Sequence, residues 1–145
     1  MNELTAEWVE KAEGDFDTAG RELRARQRPN YDAACFHAQQ LTEKYLKAFL
    51  QEHGQTFPKT HNLVELLELC LAVDADFETY RNRLILLDRY AVRYRYPGDA
   101  ADKDEARNAY RTARNLLRNT FFQPGAKWHL VQAISRCGEA FQLAT

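Results

Sequence analysis

No apolar run in this sequence approaches the ~20 residues that a membrane span needs. The opening stretch "MNELTAEWVEKAEGDFDT" is acidic and has no apolar secretory core. Both absences point to a cytoplasmic protein. Cysteine is sparse: Cys35, Cys70 and Cys137 are widely spaced, with no CxxC and no Cys/His pairing at zinc spacing. Neither a disulfide framework nor a metal site is expected, and each cysteine reads as a small buried hydrophobe. An excess of one charge is also lacking, with a net charge of −1 and a pI near 6.4. A whole-molecule field for nucleic acid is thereby excluded, so any anion binding must come from a local patch. The sequence has no Gly-rich phosphate loop, no supported Ser/His/Asp or Cys/His set and no paired catalytic carboxylates. His53 follows Glu52, but "HGQTF" does not complete HExxH. The expectation is therefore no catalytic residue, no metal and no cofactor.

What is present suits one globular domain. The 145 residues are 45% hydrophobic and 28% charged, so disorder is not the default reading. Helical periodicity dominates and no strand is expected. A first helix should begin at Thr5 as N-cap and bury Trp8, Ala12, Phe16, Ala19 and Leu23, ending near Pro29. A second should run from Asn30 or Asp32 to His53, burying Ala34, Ala38, Leu41, Tyr45, Ala48 and Phe49. His37, Gln40, Lys44, Lys47 and Gln51 fall together on another face, which reads as solvated. Asn62 should cap a short third helix, Leu63 to Leu71, and Asp74 or Asp76 a fourth from Phe77 to Tyr94. A fifth should open with "DKDEA" and bury Ala106, Ala109, Tyr110, Ala113, Leu116 and Leu117. Beyond the "QPG" break, Leu130, Ile134, Cys137 and Phe141 suggest an extra C-terminal helix.

The expected fold is all-α: an antiparallel up-and-down bundle of about five helices. A four-helix core would carry one short helix. Residues 1–122 would form this bundle. Residues 123–145 would be an extension packed on it or on a partner.

The stretch "RYAVRYRYP" at 89–97 stands out. Its alternation suggests a strand, but the upstream "YRNRLILLDRYAVRY" fits a helix better. At about 100° per residue, Arg89 and Arg93 share a face while Arg95 falls over Asp88. Pro97 disfavours helical geometry at Tyr96, so Arg95 and Tyr96 belong to a helix exit. On the fifth helix, Arg107, Arg111, Arg114 and Arg118 fall within a sector of roughly 60°. Arg21, Arg24 and Arg28 make a smaller column on the first. Arginine columns of this kind can grip phosphates, although pairing with acidic neighbours or a partner is their ordinary role.

"DRYAVRYRYP" resembles the helix-end "Y…RYP" pattern of HEPN domains, named for nucleotide binding in higher eukaryotes and prokaryotes. "FHAQQLTEKYLKAFL" resembles that family's second helix, "FPKTHNLVELL" its turn and third helix, and "EWVEKAEGDFDTA" its opening helix. The likeness runs in order from about Leu4 to Phe122. It implies a homodimer associated with nucleotide or RNA. It also implies a minimal nucleotidyltransferase partner, often in toxin–antitoxin or defence settings. Other members of the family are ribonucleases with an Arg-x4-6-His motif. Here no arginine precedes His37, His53, His61 or His129 at that spacing, and the usual acid–base partner is missing.

Carried over by motif position, the nucleotide- or phosphate-binding candidates are His61, Tyr90, Arg93, Arg95 and Tyr96, with Lys44 and Lys47 on the second helix. A non-catalytic binding domain is the leading expectation. The alternatives are a metal-independent endoribonuclease pairing His61 with Arg95, and a purely structural interaction module.

Overall fold

The computed structural model describes residues 2–121. These form five α-helices and one 3-10 helix, with no strand. The expected extra helix around Leu130 to Phe141 lies outside the described residues.

Helix α1 spans Glu3–Arg24 and begins two residues before the expected cap. Asn2, not Thr5, is the N-cap: its carboxamide oxygen accepts the Thr5 N–H at 2.8 Å and the Thr5 hydroxyl at 3.0 Å. An Asn oxygen satisfies the free first-turn donors as well as a Thr hydroxyl does, and the earlier start leaves Thr5 buried. Val9, Ala12, Phe16 and Ala19 form the buried stripe, flanked by half-buried Trp8 and Leu23.

Helix α2, Tyr31–Glu52, is capped by Asn30, whose side chain accepts the Ala33 N–H. It runs antiparallel to α1, because the Asn2 N–H reaches Glu52 at one end while the Asn30 N–H reaches Glu22 at the other. Gly54 at φ +67 takes the left-handed conformation that ends the helix. Helix α2 is the centre of the bundle and packs against each of the other four helices.

Helix α3, Leu63–Leu71, has the expected bounds, with Asn62 accepting the N–H groups of Val64 and Glu65. The expected fourth helix is divided in two. Asp74 does act as a cap, but on a 3-10 helix, Ala75–Tyr80; α4 proper is Arg81–Arg93. The three-residue period of 3-10 winding puts Phe77 and Tyr80 on one side, and both are buried. Phe77 meets Phe49 at 4.7 Å and Asp88 meets Gln39, so α4 runs antiparallel to α2.

After α4 the chain turns at Pro97-Gly98, where Gly98 has φ +100. Pro followed by a left-handed glycine suits a type II turn. Helix α5, Lys103–Phe121, then buries Ala106, Ala109, Tyr110, Ala113, Leu116 and Leu117 as expected. Asp32 anchors its approach by accepting the Ala101 N–H at 2.7 Å. None of the helices in the described residues is long and apolar enough to cross a membrane.

Candidate functional site

Helix α2 places Gln39, Glu43 and Lys47 at steps of four, on one face. That face is covered rather than solvated: Glu43 is 3% and Lys47 5% exposed. The Lys47 ammonium donates to Glu43 Oε1 at 2.7 Å and lies 5.2 Å from the centre of the Trp8 ring. Carboxylate and indole together compensate a cation that would be costly to bury alone.

Glu43 also meets His61. The His61 Nδ1 is 3.1 Å from both carboxylate oxygens, and the His61 side chain is 82% exposed. The buried carboxylate therefore fixes one edge of the ring and leaves the Nε2 edge to solvent. A carboxylate on Nδ1 selects the tautomer and orients the ring.

The segment carrying His61 is tied down by Gln39. Its Nε2 donates to the His61 carbonyl at 2.8 Å and to Asp88 Oδ1 at 3.2 Å. Asp88 Oδ2 accepts the Leu63 N–H at 2.9 Å. Burial pushes the Asp88 carboxyl above the ordinary carboxylate range, against the hydrogen bonds from Gln39 and Leu63 that lower it. Asn62 and Asp88 between them occupy the first amides of α3, so a phosphate at His61 would have to be met by side chains.

Those side chains come from α4. Gln39, His61 and Asp88 line a groove of about 670 Å³ together with Arg89, Arg93 and Arg95. On a continuous helix Arg95 would point away from Arg89 and Arg93. The helix stops at Arg93, where the Tyr94 N–H bonds Tyr90 O and the Arg95 N–H bonds Val92 O. Arg95 therefore leaves the helical register and turns into the same groove. Its guanidinium lies 5.2 Å from the Phe36 ring centre. Arg93 pairs with Asp99 at 3.3 Å and lies 5.6 Å from the Tyr94 ring centre.

The other sequence candidates lie elsewhere. Tyr90 is half-buried, stacked on Tyr94 with centroids 5.7 Å apart, and does not line the groove. Burial raises its phenol pKa, with Glu105 adding to the effect. Tyr96 is 67% exposed and also outside the groove lining. Lys44 is paired with Asp15 of α1, which His37 also meets at 2.8 Å. Lys47 is buried on Glu43 and Trp8. Lys44 thus braces α1 through Asp15, and Lys47 braces the Glu43 carboxylate that meets His61.

Sequence reasoning left out Gln39, Glu43, Asp88 and Arg89. The four-residue spacing of Gln39, Glu43 and Lys47 was the available signal for the first two. Cys35 and Cys70 are free and buried, their thiols pushed up to about 12 by burial, which leaves them unreactive. No group of metal-ligating side chains is found among the described residues.

Neither a curated protein nor a solved structure matches the chain. A family model does match, the HEPN domain, over residues 5–120. That span holds α1 to α5 almost entirely and every residue of the α2–α4 groove. The chain therefore belongs to the HEPN domain family, a helical family consistent with a nucleotide- or RNA-related function.

Proposed function

We propose that the α2–α4 groove binds the phosphates of a nucleotide or RNA, without catalysis. The observation that carries this reading is the convergence of Arg89, Arg93 and Arg95 on one groove with His61. Guanidinium groups bind phosphate oxygens bidentately, and those of Arg93 and Arg95 are braced by Asp99 and Phe36.

Thermal-shift titration with ATP, GTP and short RNAs tests it. A saturable upward shift is expected; ligand at a hundred times Kd adds about 2.7 kcal/mol of stability. Arg93→Ala/Arg95→Ala should weaken that ligand at least about tenfold with the fold intact. No shift with any of these ligands would leave the groove as a protein-interaction surface, the purely structural reading.

The same proposal includes a homodimer and a minimal nucleotidyltransferase partner in the cytoplasm, in a toxin–antitoxin or defence setting. Leu86, Val92 and Tyr96 are exposed apolar side chains on α4 and its exit, which supports a second copy seated beside the groove. Light scattering of wild type and Leu86→Glu/Val92→Glu checks this, with conversion to monomer expected.

One observation favours a second reading, an endoribonuclease. Glu43 holds His61 as a carboxylate holds a general base. In that reading, His61 Nε2 takes the 2′-hydroxyl proton as the oxygen attacks phosphorus. The bond to the 5′-oxygen breaks, and water returns a proton to it. Arg95 would stabilise the phosphorane charge. The products would be a 2′,3′-cyclic phosphate and a 5′-hydroxyl. Metal-free cleavage of RNA, lost in both His61→Ala and Arg95→Ala, would establish it. Intact RNA across varied sequences would exclude it.

A further inference from the structure

A second groove, of about 800 Å³, lies between the end of α1, the following loop and α5. It shares no lining residue with the α2–α4 groove. Six of its lining residues are basic: Arg24, Arg26, Lys103, Arg107, Arg111 and Arg114. Among the described residues, no aspartate or glutamate lines it. Among the described residues, Arg24, Arg26, Lys103, Arg107 and Arg111 form no ion pair with a carboxylate.

In a chain of net charge −1, six cations in one concavity without an acidic lining are not a solvated average. The ordinary role of surface arginines, pairing with acidic neighbours, is not what these five do. Bringing six like charges together costs self-repulsion, and a polyanion removes that cost on binding.

The spacing narrows the class. Arg107, Arg111 and Arg114 fall one helical turn apart along α5, with rises of roughly 6 Å and 4.5 Å. Successive phosphates of a single nucleic-acid strand are separated by distances of that order, so neighbouring arginines can take neighbouring phosphates. Tyr31 and Tyr110 also line the groove. Tyr31 is half-buried, whereas Tyr110 is 6% exposed and belongs to the core, stacked on Phe16 with ring centroids 5.0 Å apart. The Tyr31 ring among cations suits a base as well as phosphates, the combination that single-strand binders use. An acidic peptide would use the cations and leave that ring idle.

We infer that the α1–α5 groove is a track for single-stranded RNA, read through phosphates and stacking, separate from the α2–α4 groove. Phosphate contacts position a strand without specifying its sequence, so binding here tolerates any sequence.

The test is fluorescence anisotropy of the full chain with a 5′-labelled mixed-sequence RNA of about 20 nucleotides, from low to high salt. For single strands the slope of log affinity against log salt is about −0.7 per phosphate contacted. Arg107→Ala/Arg111→Ala should weaken binding at least about tenfold and flatten the slope by about 1.4. A more conservative Arg107→Lys/Arg111→Lys should restore most of the slope, because charge is kept. Circular dichroism and the urea midpoint confirm folding of each variant. The thermal shift with ATP or GTP, which reads the α2–α4 groove, should be kept in Arg107→Ala/Arg111→Ala, which separates failure here from failure of the proposed function. Wild-type affinity and slope in Arg107→Ala/Arg111→Ala would overturn the inference. So would equal affinity for poly-glutamate of matched charge, which would assign the groove to acidic protein segments.

Discussion

In the α2–α4 groove, Arg93 meets Asp99, Arg95 lies over Phe36 and His61 is tied to a carboxylate 3% exposed. Across the α1–α5 groove, five basic side chains reach no carboxylate among the described residues, and none lines the wall. The first groove has its groups aligned before a ligand arrives, and that alignment is built into the core through Glu43, Lys47 and Gln39. The second is a concentration of charge on an otherwise finished bundle. Preorganised groups give selectivity, since a ligand must fit fixed donors; unpaired charge gives affinity that salt removes.

The sharpest way to break this contrast is Glu43→Gln. It removes the charge that compensates Lys47, and breaking a buried pair costs about 3–5 kcal/mol. A fall of that size in urea-derived stability is expected, with most of it recovered in Glu43→Leu/Lys47→Met. An unchanged midpoint would mean the groove is not wired into the core. Gln39→Ala should cost less, about 1–3 kcal/mol, because Asp88 and the His61 carbonyl each lose a donor. It should also weaken ligands of the α2–α4 groove while leaving RNA binding at α5 unaltered.

Asp88 gives a pH signature. Its folded pKa is raised, so the folded chain holds this proton more tightly than the unfolded one. Its contribution to stability therefore declines as pH rises from the ordinary carboxylate range through the raised value. Asp88→Asn has no such titration. The stability difference, wild type minus variant, should fall as pH rises above the ordinary aspartate value, and a flat difference would contradict the cause assigned. The smallest effect belongs to the other groove. Arg107→Ala/Arg111→Ala should shift stability by no more than about 0.5 kcal/mol, because no pairing or packing is lost.

Periodicity was enough to read α3 and the buried side of α5, because both are faces of regular helices that meet their partners along their whole length. The split of the fourth helix was not legible. Phe77 and Tyr80 fit either helical period until the core they face is known. Lys47 looked solvated because nothing local announces Trp8, an α1 residue far away in sequence, over its ammonium. Pro97 places Arg95 at a helix exit, as the end of α4 at Arg93 shows, but the groove into which Arg95 then turns depends on the segments packed beside it. His61, Arg93 and Arg95 could be singled out by motif, but their shared groove depends on where three segments meet. Its polar members Gln39 and Asp88 act through contacts 22 and 49 residues apart.

The Gln39 amide also sets a schedule for the growing chain. One of its acceptors, Asp88, is made 49 residues later. At roughly 5–20 residues per second that is a delay of about 2–10 s. The α1–α2 hairpin can pair during this interval, while the groove still lacks its arginine wall. A nascent chain emerging beside ribosomal RNA thus carries no assembled α2–α4 groove until Arg95 has left the exit tunnel, so its first chance to engage a ligand there comes late in translation.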